Sequence, residues 1–197
     1  MKISPSIASA NPLQLGEEVK RVQEHYDDLH IDIEDGNFIS NITFGHKTIK
    51  ALRSVTQLPF SFHLMVTNPY DYLDQIIDLS PSIIFAHVES LLYPSDFISK
   101  IRKRNQKCGL AFNPKTPVDP YSYLMNHVDG ILIMTSEPDG QGQLFNVAMV
   151  EKVKKVAKNY NFKGEIWVDG GIKYEHLHLL GEAGATHAVM GRAVFGE

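Results

Sequence analysis

Two rhythms of apolar and polar positions alternate along the chain. Short, mostly apolar runs occupy residues 2–8, 28–33, 60–64, 83–88, 107–112, 130–134, 165–168 and 187–190, and their length predicts strands. Amphipathic segments lie between them. Asn11-Pro12 and Asn68-Pro69 each place a capping side chain before a proline in a first helical turn. After Asn146, Val147, Val150, Val153, Val156 and Ala157 recur at helical spacing, with Glu151, Lys152, Lys154, Lys155 and Lys158 on the outer face. Strands alternating with helices predict a parallel sheet buried on both faces. Eight such repeats in 197 residues predict an α/β chain closed into a (β/α)8 TIM barrel, with an open doubly wound sheet as the alternative. The last run ends close to Glu197, so the eighth helix is expected to be short or missing.

The second run, LHIDIEDGNF from Leu29 to Phe38, breaks the apolar pattern. Alternate side chains of a strand share a face, so His30, Asp32 and Glu34 point one way and Leu29, Ile31 and Ile33 the other. In a barrel of this kind polar strand ends converge at the carboxyl mouth, where active sites form. Other strand ends carry similar groups: Ser4 and Ser6, His63 and Met65, His87 and Glu89, Asp169 before Gly170 and Gly171, and Gly191. Two histidines and two carboxylates, His30, Asp32, His63 and Asp169, are placed to chelate one divalent cation. Mixed imidazole and carboxylate ligation suits Zn²⁺, Fe²⁺, Mn²⁺ or Co²⁺ better than Ca²⁺. Taken singly, a strand histidine is more often a structural hydrogen bonder, and an aspartate before Gly-Gly is often a turn residue. His87 and Glu89 stand between the two readings. Gly140, Gly142, Gly170, Gly171 and Gly191 follow the last three strands, where backbone N–H groups of such barrels often hold a phosphate. Together they suggest a phosphorylated substrate across the mouth.

Composition narrows the picture. A hydrophobic content of 43% and the absence of a linker-like stretch fit one domain spanning 1–197. The net charge of −4 gives no reason to expect nucleic acid. No apolar run approaches the roughly 18 residues of a membrane helix, and Pro5 and Ser6 interrupt any secretion pattern. The lone cysteine, Cys108, fits a reducing cytoplasm and a small apolar core position.

These motifs resemble the ribulose-phosphate 3-epimerase family over nearly the whole chain. The residues that carry the resemblance are PSIASA at Pro5, LHIDIEDGNF at Leu29, NITFG at Asn41, HLMV at His63, FNPKTPVD at Phe112, MTSEPDGQGQ at Met134, VDGGI at Val168 and GRAVFG at Gly191. The resemblance implies a (β/α)8 enzyme, an isomerase acting on a phosphorylated ketose. It implies one divalent metal, commonly zinc, held by His30, Asp32, His63 and Asp169, with Asp32 and Asp169 as the catalytic acid–base pair that epimerises carbon 3 through a metal-stabilised enediolate. Ser6 is then expected near the reacting oxygens, and Met65 and Met134 as an apolar cap. Family members are commonly dimers or hexamers, so a homo-oligomer is expected.

The chain also departs from the family pattern. Glu34 stands where methionine is usual, and Asn37 where histidine is frequent. Asp139 and Gln141 replace glycines beside the expected phosphate, while Arg192 replaces a serine and supplies a fork for an anion. These changes resemble a diverged, epimerase-like subgroup retuned for another substrate. Glu34 is the specificity candidate: it is placed to disfavour an anionic intermediate, bind an extra hydroxyl, touch the metal, or turn outward to a loop cation. Ribulose 5-phosphate and a hexulose 6-phosphate such as allulose 6-phosphate are the competing substrates. Related barrel lyases and decarboxylases carry a lysine in D-x-K-x-x-D, and no lysine lies on this strand end. The alternative from another class is a non-catalytic sugar-phosphate sensor that keeps the metal site.

Overall fold

The computed structural model describes residues 1–139, 142, 144–160 and 162–196. Gly140 and Gln141, both singled out above, lie outside the described residues. Eight parallel strands form one sheet: β1 (Lys2–Pro5), β2 (Leu29–Glu34), β3 (Phe60–Met65), β4 (Pro81–His87), β5 (Cys108–Phe112), β6 (Gly130–Met134), β7 (Glu165–Asp169) and β8 (His187–Met190). Their order, β1-β8-β7-β6-β5-β4-β3-β2, runs around a barrel. Between β1 and β2 the seam is one parallel bridge, Ser6 to His30, so the barrel is nearly closed.

The helices are α1 (Leu15–Val22), α2 (His46–Leu52), α3 (Leu73–Ile77), α4 (Pro94–Arg102), α5 (Met149–Lys154), α6 (Leu177–Ala183) and the four-residue α7 (Arg192–Phe195). One face of each strand packs on this shell: Ile31, Phe62, Leu64, Ile84, Leu110, Ile131 and Val168 meet Val19, Ile49, Ile76, Phe97, Val153 and Leu180 in one buried cluster. Burial on both faces explains why the strands read as near-continuous apolar runs. Each fully buried aliphatic or aromatic side chain adds roughly 1.5–3 kcal/mol.

Several local expectations are corrected. β1 stops at Pro5 rather than residue 8, because Ser6 Oγ accepts from Ala8 N at 3.3 Å and turns Ile7–Ser9 into a 3-10 helix. Asn11 makes an Asx turn onto Leu13 N (3.0 Å), and α1 starts later, after Gln14. Asn68 precedes a 3-10 turn, Pro69–Tyr72, without a side-chain cap bond. The β5–β6 connection is a 3-10 helix, Asp119–His127, and α5 runs on as a π-helical turn, Lys155–Asn159.

The interior of the barrel is divided. Ile83, Phe85, Ala111, Leu132, Met134, Trp167 and Val189 from β4 to β8 form a separate apolar cluster. Gly109 makes room for it, since a Cβ there would fall 2.2 Å from the Phe85 ring. The inward positions of β1 to β3 are instead mostly polar, with Ser4, His30, Asp32, Ser61 and His63 all buried, Met65 closing β3 and Ser6 just beyond β1.

Candidate metal centre and active site

Strand register builds the polar cluster. β2 and β3 pair in step, Asp32 beside His63, and His30 and Asp32 share the inward face. Asp169 ends β7, three strands around the ring from β2. Ligand atoms of His30, Asp32, His63 and Asp169 all lie within 4.8 Å of one another. Asp32 Oδ1 is 3.2 Å from His63 Nδ1 and 3.5 Å from His30 Nε2, and Asp169 Oδ2 is 3.4 Å from His63 Nδ1. Donor atoms around one four-coordinate ion with ligand distances near 2 Å stand about 3.3 Å apart. His30 Nε2 is buried without a hydrogen-bond partner, a cost that a cation removes. Donor set, spacing and orphaned nitrogen all fit a single divalent metal.

Each imidazole is held by its other nitrogen. Ser61 Oγ donates to Asp28 Oδ2 (3.2 Å), so its oxygen takes the proton of His30 Nδ1 (2.9 Å) and leaves Nε2 bare. Ser4 Oγ also donates to Asp28, at 2.7 Å. His63 Nε2 meets His87 Nε2 at 2.8 Å, and His87 Nδ1 meets Glu89 Oε2 at 3.2 Å. Ser61 was legible in FSFH, one alternation from His63; Asp28 carried no signal.

Electrostatics follows this arrangement. Burial opposes charge on Asp32, but His30 and His63 outweigh it and hold the carboxyl well below its usual range. Burial likewise opposes the His63 imidazolium, yet hydrogen bonds to Asp169 and Asp32 raise its pKa to about 9. In the metal-free chain a proton on His63 therefore holds the carboxylates together at neutral pH, and a metal must displace it. Burial pushes His87 down to about 4 and keeps it neutral.

Above the cluster opens a cavity of about 710 Å³. Ser6, Asp32, Glu34, Met65, Met134, Gly142, Asp169, Gly170, Gly171, Gly191 and Arg192 all line it, so it gathers the expected substrate-facing residues in one place; His30 and His63 are fully buried. Ser6 Oγ donates to Asp32 Oδ2. Gly170 has φ +118°, and a Cβ there would lie 2.3 Å from Ser136 Oγ, which requires glycine. Arg192 reaches toward Gly142, whose Cβ would stand 3.0 Å from Nη1.

Glu34 is outside the four-residue cluster. Its Oε2 accepts from Asn41 Nδ2 at 2.6 Å, so its loop partner is an amide. Burial, and then the charge of Asp32, raise its pKa to about 7. Asn41 belongs to the NITFG stretch but had no assigned role; a loop side chain leaves no periodic trace. Ser136, Lys173 and Tyr174 also line the cavity unannounced by the pattern. Asp139 lines it too, half-buried.

The decisive comparison is with whole families. A profile described as "Ribulose-phosphate 3 epimerase family" matches residues 2–195. The chain belongs to the ribulose-phosphate 3-epimerase family. It is 37% identical over 202 residues to a ribulose-phosphate 3-epimerase of Bacillus subtilis (strain 168), covering 100% of this chain and 93% of that protein. A ribulose-phosphate 3-epimerase of Methanocaldococcus jannaschii is 36% identical, covering 100% and 85%. A chloroplastic ribulose-5-phosphate-3-epimerase of Arabidopsis thaliana is 38% identical, covering 98% and 71%. The family is one of carbohydrate epimerases, so the chain is an isomerase by membership. Among solved structures, the tryptophan synthase complex of Pyrococcus furiosus superposes with a TM-score of 0.71 at 15% identity, covering 98% of this chain and 87% of that one. A tryptophan synthase alpha-subunit from the same organism reaches 0.74 at 16%. These likenesses concern the TIM-barrel fold alone. Among the described residues no helix is long and apolar enough to cross a membrane.

Proposed function

We propose that the chain is a metal-dependent 3-epimerase of a ketose phosphate, either ribulose 5-phosphate or a hexulose 6-phosphate such as allulose 6-phosphate. The observation that carries this reading is the convergence of Asp32 and Asp169 on His63 Nδ1, at 3.2 and 3.4 Å, from strands three apart around the barrel. Simple binding requires no such pair. Inversion of a carbon centre requires a base on one side and an acid on the other.

A divalent ion held by His30, Asp32, His63 and Asp169, zinc first among zinc, iron, manganese and cobalt, would supply positive charge for the oxyanion that develops beside the ketone. The remaining work falls to the protein. One aspartate takes the proton from carbon 3, and the other returns a proton to the opposite face, with no redox step. The neighbouring histidines keep Asp32 ionised, as a base must be. Ser6 fixes Asp32 by its bond to Oδ2. Met65 and Met134, both buried against the cavity, exclude water from the planar intermediate. The phosphate end lies toward Gly142, Gly170, Gly171, Gly191 and Arg192, and Glu34 with Asn41 meets the hydroxyls that distinguish one ketose from another. A second copy of the chain is the expected partner, through family resemblance alone.

Proton NMR in D2O on metal-reconstituted protein tests the reading. Deuterium entering at carbon 3 of one of the two ketose phosphates, with its epimer appearing, is the expected result. Metal bound without exchange on either sugar would favour the sensor reading.

A further inference from the structure

The His63 ring can serve the cluster only if Nδ1 is bare, and the ring itself does not decide this. A neutral imidazole carries its proton on one nitrogen, and its partner at the other nitrogen fixes which. His63 Nε2 faces His87 Nε2 at 2.8 Å, so one of the two nitrogens donates and the other accepts. Two arrangements are self-consistent. In the first, His63 donates from Nε2, His87 accepts, and the His87 proton sits on Nδ1. In the second, His87 donates from Nε2, His63 accepts, and the His63 proton sits on Nδ1, where it points at Asp32 and Asp169 and blocks a cation.

The partner of His87 Nδ1 separates them. It is Glu89 Oε2, at 3.2 Å. A carboxylate accepts and does not donate, so it requires the proton on His87 Nδ1 and thereby the first arrangement. Glu89 is in turn fixed from outside: Asn113 N donates to Oε1 at 2.9 Å, and Asn113 O is gripped by Lys152 Nζ at 2.7 Å. His87 is fully buried, with the Phe38 ring 4.8 Å away.

We propose that Glu89, acting through His87, selects the tautomer of His63 that leaves Nδ1 open to the metal. Glu89 and His87 are positioning residues; neither belongs to the ligand cluster. The inference rests on the metal-holding reading above, and the experiment separates the two.

Ring ¹⁵N NMR of the zinc-loaded full chain reports the arrangement directly. A proton on His87 Nδ1 with Nε2 bare is expected; a proton on Nε2 with Nδ1 bare overturns the proposal without any variant. Co²⁺ affinity is then read by competition with a chelator, alongside the melting temperature of the metal-free proteins. Glu89→Ala and His87→Phe should each weaken Co²⁺ binding about 10–100-fold. Glu89→Gln offers one oxygen to two donors, His87 Nδ1 and Asn113 N, so it should recover only part of that loss. Glu89→Ala and His87→Phe binding Co²⁺ as tightly as wild type, even with lowered melting temperatures, would make the chain of bonds merely structural and overturn the relay alone. Wild-type protein that takes up no Co²⁺ would overturn the metal reading as well.

Discussion

Inside the barrel, β4 to β8 contribute Ile83, Phe85, Leu132, Trp167 and Val189, whereas β1 to β3 contribute Ser4, His30, Asp32, Ser61 and His63, joined at the strand ends by His87 of β4 and Asp169 of β7. Both groups are buried, but their physics differs. The apolar half needs shape alone: Phe85 lies edge-on to Trp167 at 5.4 Å and fills the space that Gly109 leaves. The polar half must satisfy every group it desolvates, at about 1–3 kcal/mol for each one left unpaired. It does so with chains of bonds that end on carboxylates, Asp28 below His30 and Glu89 beyond His63. The exception is His30 Nε2, which faces the cluster without a partner. The polar half also borders the weakest joint of the barrel, where Ser6 and His30 form the bridge across the seam. One half holds the fold, and the other spends stability to keep a site.

The largest expected effect separates the halves by activity. Asp169→Asn should lower carbon-3 exchange about 1,000-fold or more, the scale of losing a positioned acid or base. The melting temperature of the metal-free protein should fall only modestly, because the asparagine fills the same space and its oxygen still accepts from His63 Nδ1. Normal exchange in D2O would sink the acid–base assignment and leave the polar half without a function.

Phe85→Ala is the mirror experiment. It should cost about 3–5 kcal/mol of stability by urea unfolding. The upper end of that range applies because inward Gly109 and Gly130 offer no side chains to collapse into the void. Below the new melting temperature, Co²⁺ affinity should survive, since no ligand chain passes through Phe85. Equal loss of stability and of metal binding would show that the halves are one unit.

The same division governs what could be read in advance. Alternation along each strand placed His30, Asp32, His63 and Asp169 on one inward face, because the period of a strand is a local property. All eight strands were legible for that reason. The end of β1 was not: a single serine hydroxyl, bonding two residues ahead, turned Ile7–Ser9 into a 3-10 helix. The pairing of His87 with His63 depends on the approach of neighbouring strand ends, and that of Glu34 with Asn41 on how loop 35–45 folds back. Neither leaves a period in the chain. Glu34 thus stood with four roles open, and the structure gave it an amide partner that none of them named.

Glu34 is where the boundary of the polar half can be sharpened, with the smallest expected effect. Its carboxyl is raised from an ordinary 4.5 to about 7 by burial first and by Asp32 second. The folded, metal-free chain therefore holds this proton more tightly than the unfolded chain does. The resulting stabilisation is fully present below pH 4.5 and is lost as pH rises through 7. Glu34→Gln keeps an oxygen for Asn41 Nδ2 and removes the titration. Its stability should match wild type near pH 4.5 and exceed it by roughly 1–2 kcal/mol at pH 8, after allowing for solvent screening at a partly exposed site. Divalent metal should shrink the gap, because a cation at the cluster offsets the charge of Asp32. Urea unfolding between pH 4.5 and 8, with and without Zn²⁺, measures this. A difference that does not change with pH would make Glu34 an ordinary solvated carboxylate, with the polar half ending at Asp32.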